Sequence, residues 1–168
     1  MAGQVEGSSG GGVLVVGLGQ ALRGDDGVGA AVVARWRERY GRRHALDVTT
    51  EFLDQPGLNL IDHLRGQPRA ILVDAVRGGG AVGTLHQLTA GDLAAFEPGG
   101  ESAHGWGVAE TLALARQVSP EVVPPDLRIL GIEVGEFGPG AGLSEPVARI
   151  VDAGAEALEA MILATSPG

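Results

Sequence analysis

Two adjacent aspartates in a glycine-bounded loop pose the first chemical question of this chain. Residues 13–36 read VLVVGLGQALRGDDGVGAAVVARW: an apolar run enters a glycine turn, and a helical pattern leaves it. That layout often cradles a phosphate on backbone N–H groups. Both usual tests fail here. Gly17-x-Gly19 opens a dinucleotide fingerprint, but Leu22 stands where the third glycine is needed. Gly19 to Gly24 has the spacing of a phosphate loop, but Asp25-Asp26 replaces the Lys-Ser/Thr pair that would follow. Like charges 4 Å apart in a partly desolvated site repel by about 4 kcal/mol. The loop therefore suits a cation, or at least excludes an anion. A plainer role competes with this one: Asp25 or Asp26 can cap the next helix, where unpaired N–H groups favour an acidic side chain.

Asp74 ends the apolar run ILVDAV. A carboxylate there is costly unless it is paired, hydrogen-bonded or ligating. If its strand neighbours the first one, Asp26 and Asp74 share one crevice, where they could share a proton, pair with an arginine or bind a metal. The third candidate is His104 in SAHGWGVAETL, a glycine-flanked loop just ahead of a helix. Two Asp and one His make an oxygen-rich set for a divalent ion, with positions left open for water or substrate. No compact metal motif fixes that assignment, and His104 alone also reads as a surface loop residue. The other histidines have weaker cases. His44 follows a basic segment and reads as solvated, His63 lies among polar residues on a short helix, and His86 lies on an edge strand. Glu133, after LRILGI, borders the same crevice or, in the preferred reading, is a surface acid at a strand end. Serine catalysis is poorly supported. There is no G-x-S-x-G elbow, and Ser102 sits near His104 without one.

The elements that must position these residues alternate in type. GVLVVGL, ALDVTTEFL, RAILVDAV and DLRILGIEV read as strands, RAILVDAV and DLRILGIEV being of the buried, central kind. TLHQL reads as an antiparallel edge strand. Val28, Val32, Val33 and Trp36 recur at helical spacing up to Tyr40. GLNLIDHL, WGVAETLALARQV and SEPVARIVDAGAEALEAMIL supply further helices, the last with Ser144 as N-cap and Pro146 in its first turn. The pattern predicts a three-layer α/β/α sandwich around a mostly parallel five-stranded twisted sheet with one antiparallel edge strand. Ligands in such folds bind beyond the carboxyl ends of the parallel strands. Asp26, Asp74 and His104 all fall there.

Composition narrows the classes. The chain has 168 residues, 44% of them hydrophobic, enough for one domain with a real core. Residues 1–12 read as a flexible leader and 13–168 as a single domain. The net charge of −9 argues against nucleic acid and anionic membranes. There is no cysteine, so disulfides, thiolate metal sites and a cysteine nucleophile are excluded. With no signal peptide and no long apolar run, a soluble cytoplasmic protein is the expectation.

VVGLGQALRGDDGVG, ILVDAV, SAHGWGVAETL and LGIEVGEFGPGAGLSEPV together, in this order and spacing, resemble the nickel–iron hydrogenase maturation endopeptidases over about residues 13–164. The resemblance implies a cytoplasmic, monomeric peptidase that clips a C-terminal extension from the precursor of a hydrogenase large subunit after nickel insertion. It also implies that Asp26, Asp74 and His104 contact the nickel, that the substrate brings this metal, and that zinc or cadmium could stand in for it in vitro. Asp25 remains a loop or capping residue. Two departures stand out. Gln20 replaces the asparagine usual in the family loop, and DQPGLNL, with Gln55, Pro56 and Gly57, stands where the family carries a G-T-x-G segment thought to select substrate. A non-enzymatic nickel-binding assembly factor and a nucleotide-binding α/β protein are the competing readings. The failed glycine and lysine tests weigh against the second.

Overall fold

The computed structural model describes residues 12–54, 58–89, 91–92, 107–135, 140 and 142–164. Within them, the strands are β1 (Val13–Leu18), β2 (Val48–Leu53), β3 (Arg69–Val76), β4 (Leu85–Leu88) and β5 (Asp126–Glu133). The helices are α1 (Val28–Tyr40), α2 (Leu58–Leu64), α3 (Gly107–Val118) and α4 (Glu145–Leu163). The strands form one five-stranded sheet in the order β2-β1-β3-β5-β4. All its pairs are parallel except β4 with β5. The expected mostly parallel sheet with an antiparallel edge is therefore what the chain builds. Among the described residues, no helix is long and apolar enough to cross a membrane.

Residue alternation along the strands sorts the core into two layers. Val15, Ile71, Val73, Leu130 and Ile132 face α1 and α4, where Val32, Val33, Trp36, Val151 and Leu158 meet them. Leu14, Val16, Leu72, Val76, Leu127 and Ile129 face α2 and α3, which contribute Leu60, Leu64, Val108 and Leu112. Each fully buried side chain of this size contributes roughly 1.5–3 kcal/mol. The predicted helical face of α1, Val28, Val32, Val33 and Trp36, is buried throughout.

Helix α4 is also fastened by polar groups along its length. At its start, Asp25 Oδ1 accepts the Ser144 N–H at 2.6 Å and Oδ2 accepts the Ser144 hydroxyl at 2.7 Å. Midway, Glu159 Oε2 accepts the Trp36 indole N–H at 2.8 Å, and Oε1 lies 2.9 Å from His44 Nε2. At its end, the Arg69 guanidinium donates to the carbonyls of Ile162 and Ala164, each at 2.8 Å, and to that of Met161. Those carbonyls have no partner inside the helix, so a cation satisfies both their hydrogen bonds and the helix dipole.

Two expectations change here. Ser144 occupies the N-cap position but makes no side-chain cap, because its hydroxyl is spent on Asp25. His44 is not solvated: it is partly buried, bonded to Glu159 and stacked on Trp36 at 5.7 Å. Its neighbours in sequence are basic and exposed, but its partner lies 115 residues away.

Candidate active site

β2 lies on one side of β1 and β3 on the other. The gap between the carboxyl ends of β1 and β3 is therefore the topological switch point, where open α/β sheets bind ligands. The loop after β1 carries Asp26 to it, and β3 carries Asp74.

Two glycines bring that loop down onto the sheet. Any Cβ on Gly29, in the first turn of α1, would collide with the Val73 carbonyl oxygen and lie 2.7 Å from that of Leu18. Only glycine lets α1 start so close to both strands. Gly19 has φ +110, and a Cβ there would strike the Asp26 carbonyl. The turn is further pinned by the Gly24 N–H, which donates to the Gly140 carbonyl at 2.9 Å.

The adjacent aspartates do different work. Asp25 is buried and holds the Ser144 N–H and hydroxyl. It is a capping residue, as expected, but for α4 rather than for the helix that follows it. Neither aspartate caps α1, whose N-cap is Gly27 with no side-chain bond. Asp26 is partly buried, and its Oδ2 accepts the Gln20 N–H at 2.8 Å, which aims the carboxylate back across the loop. The backbone of Gln20 is thus the aiming device, whatever its side chain does.

Asp74 lies on the β3 face shared with Leu72 and Val76, the face covered by α2 and α3. Burial pushes its carboxyl up to about 7, the Asp26 charge pushes the same way, and a hydrogen bond from the Ala75 backbone opposes both. The nearby charge acting on Asp74 is therefore another acid, not an arginine. Near neutral pH such a pair holds a proton or takes a cation. A divalent ion binding there would release the proton and remove the repulsion. The two carboxylates fit such an ion chemically, as hard oxygen ligands.

His104 lies outside the described residues, as do Ser102, Gln55, Pro56 and Gly57. Helix α3, which begins three residues after His104, buries Val108 and Leu112 on the Asp74 face of the sheet. Among the described residues, no three His, Cys, Asp or Glu side chains converge as a metal-binding group. The described part of the site is the acid pair.

Glu133 corrects a further expectation. It is not a surface acid: only 2% of it is exposed. Its Oε2 accepts the Gly78 N–H at 3.1 Å, and its Oε1 lies 3.1 Å from His86 Nε2. A strand-end position suggested solvent, but the edge strand β4 and the turn after β3 close over it. The signal that could have found it is the alternation Leu127, Ile129, Gly131, Glu133 on one buried face. His63 sits against Glu51, away from this group.

Comparison with known proteins fits this geometry. A family model described as hydrogenase maturation protease matches residues 38–161, a span that begins after the Asp26 loop. The hydrogenase expression/formation protein HupD of Rhodobacter capsulatus is 32% identical over 132 residues, covering 75% of this chain and 60% of that protein. HupM of Azotobacter chroococcum is likewise 32% identical over 137 residues, covering 80% and 64%. The chain thus spans about three-fifths of the length of the curated relatives it matches. Among solved structures, an endopeptidase from Escherichia coli superposes with TM-score 0.73 at 24% identity, covering 89% of this chain and 90% of that one. The hydrogenase maturation protease HycI from Thermococcus kodakarensis gives 0.69 at 23% identity, covering 93% and 94%. At such identities these likenesses speak for the fold, while the family model and the curated relatives speak for descent. This chain belongs to the hydrogenase maturation protease family.

Proposed function

We propose that this chain is an endopeptidase that removes the C-terminal extension of a nickel–iron hydrogenase large-subunit precursor after nickel has been inserted. Asp26, Asp74 and His104 contact the nickel that the precursor carries. The observation that supports this reading is the acid pair itself. Asp74 is held beside Asp26 at the switch point, its carboxyl raised to about 7 by burial and by that neighbour. Such a pair gains more from an arriving cation than two solvated carboxylates would.

Docking on substrate-borne nickel makes cleavage conditional on loading, because an empty precursor lacks the ion that completes the site. The chain's own contribution is positioning: it sets the scissile peptide near a water and holds both in register. Zinc or cadmium could occupy the same residues in vitro. The protein acts in the cytoplasm as a monomer, and its partner is the precursor rather than nucleic acid or membrane.

The test mixes purified nickel-loaded precursor with enzyme and follows the extension by mass. Asp26→Asn and His104→Ala should leave it attached, and normal processing by both variants would refute the assignment. A dilution series adds the second arm. An enzyme processes many equivalents of precursor, whereas a nickel-binding assembly factor acts on at most one.

A further inference from the structure

We infer that the outer edge of β2 is a docking strip, on which an acidic, extended segment of the precursor adds as a further strand and meets Arg37 and Arg42. The partner's identity rests on the peptidase reading above, and the strip itself rests on the sheet. β2 ends the sheet on one side, and none of its six residues is buried. Its inner edge is occupied. The carbonyls of Asp47 and Leu53 accept the N–H groups of Val13 and Gly19 at 2.8 and 3.0 Å. Backbone groups alternate sides along a strand, so Asp47, Thr49, Glu51 and Leu53 bond toward β1. Val48, Thr50 and Phe52 therefore turn their N–H and C=O groups outward, and among the described residues no backbone group bonds to them there. Exposed edges are commonly blunted by lysine, proline or a bulge. This one has none of these, and its register runs unbroken from Val13↔Val48 to Leu18↔Leu53. Its one charge, Glu51, is on the opposite face, against His63.

On the α1 side the strip is shaped and charged. Val48 and Thr50 pair with Val13 and Val15, whose side chains belong to the α1 layer. A groove of about 350 Å³ opens beside them, lined also by Trp36, Arg37, Arg42 and Ala45. Arg37 lies over the Phe52 ring at 6.0 Å, and that ring is 42% exposed. Arg35 and Arg39 of the same helix are engaged by Asp152 and Glu156. Arg37 and Arg42 are exposed and have no carboxylate partner among the described residues. In strand addition, main-chain bonds supply affinity and every second side chain enters the neighbouring groove. Guanidinium groups waiting there select Asp or Glu at those positions.

Charge decides the occupant. The whole chain carries −9, so these two cations are a local exception that an acidic peptide fits. A second copy fits poorly. Antiparallel pairing of two β2 edges about a two-fold axis would put both sets of arginines on one side of the joined sheet, where they repel. The strip also adjoins the crevice. Leu53 at its end is bonded to Gly19, on which the Asp26 carbonyl is packed. β2 and β3 are two strand spacings, about 10 Å, apart, within the span of one large precursor. Asp74 and the groove face opposite sides of the sheet, so the segment in the groove is separate from the scissile peptide.

The experiment titrates nickel-loaded precursor onto each variant and follows processing separately, with thermal melts to check folding. Arg37→Gln combined with Arg42→Gln should weaken binding about tenfold at low salt, and added salt should close the gap. Arg35→Gln removes a charge of the same helix outside the groove and should bind as the parent does. Thr50→Pro deletes an outward N–H and leaves the β1 ladder intact, and it should also cost about tenfold in binding. Precursor should slow amide exchange at Val48, Thr50 and Phe52, whereas β1 already protects Thr49, Glu51 and Leu53. Parental binding by the double arginine variant overturns the inference, as does exchange at those three amides that precursor leaves unchanged. A parent dimer that Thr50→Pro dissociates also overturns it, because a second copy would then hold the edge. Failure of the peptidase reading looks different: the parent binds precursor through the strip, with the losses above, and leaves the extension attached.

Discussion

Glu159 and Asp74 are both acids set into the protein, and their surroundings are opposite. Glu159 receives the Trp36 indole N–H at 2.8 Å and has His44 Nε2 at 2.9 Å, so each oxygen has a partner. Asp74 faces Asp26, and its carboxyl rises to about 7. The same contrast recurs within one loop, where Asp25 has both oxygens occupied by Ser144 while its neighbour Asp26 accepts one backbone N–H and bears its charge on Asp74. Acids that join α4 to the rest of the molecule are satisfied. Acids at the switch point are left wanting a cation. Paired groups stabilise the fold, and two neighbouring like charges, though each keeps a backbone hydrogen bond, store a preference for a cation at the expense of stability.

The comparison breaks most visibly at Asp74→Asn. Processing of loaded precursor should fall more than about 100-fold, yet the protein should become more stable. Because the folded-state carboxyl of Asp74 is raised to about 7 from 3.8, its favourable protonated form is fully present below about pH 4 and is lost as pH rises through 7. Parent stability should therefore decline across that window relative to the Asn variant, by at most about 4 kcal/mol at pH 8. Urea titrations at pH 4, 6 and 8 measure the gap, and a gap that does not widen with pH contradicts the assignment.

Asp25→Ala should move the other way and cost about 2–3 kcal/mol, since it removes the two hydrogen bonds that a buried carboxylate accepts from Ser144 at the exposed start of α4. Processing should also drop as the loop loosens, which would show that Asp25 serves Asp26 through the backbone. Glu159→Gln keeps the shape and one acceptor, so a loss of roughly 1–2 kcal/mol is expected. It should bring a changed Trp36 fluorescence and unaltered processing. Ser144→Ala, with one hydroxyl removed, should cost about 1 kcal/mol. If Glu159→Gln disturbed processing as strongly as Asp74→Asn, the division between structural and functional acids would be wrong.

Much of the architecture could be read in advance because it rests on local pattern. RAILVDAV is apolar on alternate and intervening positions, as a strand covered on both faces must be, and it lies at the middle of the sheet. TLHQL, short and mixed, became the antiparallel edge. The acid pair was legible for the same reason: a polar residue interrupting an apolar run, and a loop that fails as a phosphate cradle. What stayed hidden depends on partners remote in sequence. Asp25 could not be assigned to α4 when its partner lies 119 residues on. His44 and Glu159 are 115 apart, and His86 and Glu133 are 47 apart. The second strand shows the lesser error, since ALDVTTEFL pairs only from Val48 onward.

The close seating of Gly29 against Val73 and Leu18 has a consequence for how this site can vary. Height above the sheet, for the whole turn that bears Asp26, is set by a single hydrogen atom acting as a shim. A methyl in its place would lift the helix start and widen the mouth between the acids, without altering any group that does chemistry. Under the proposed docking role, selection on the size of the ion would therefore act at a residue that never meets it.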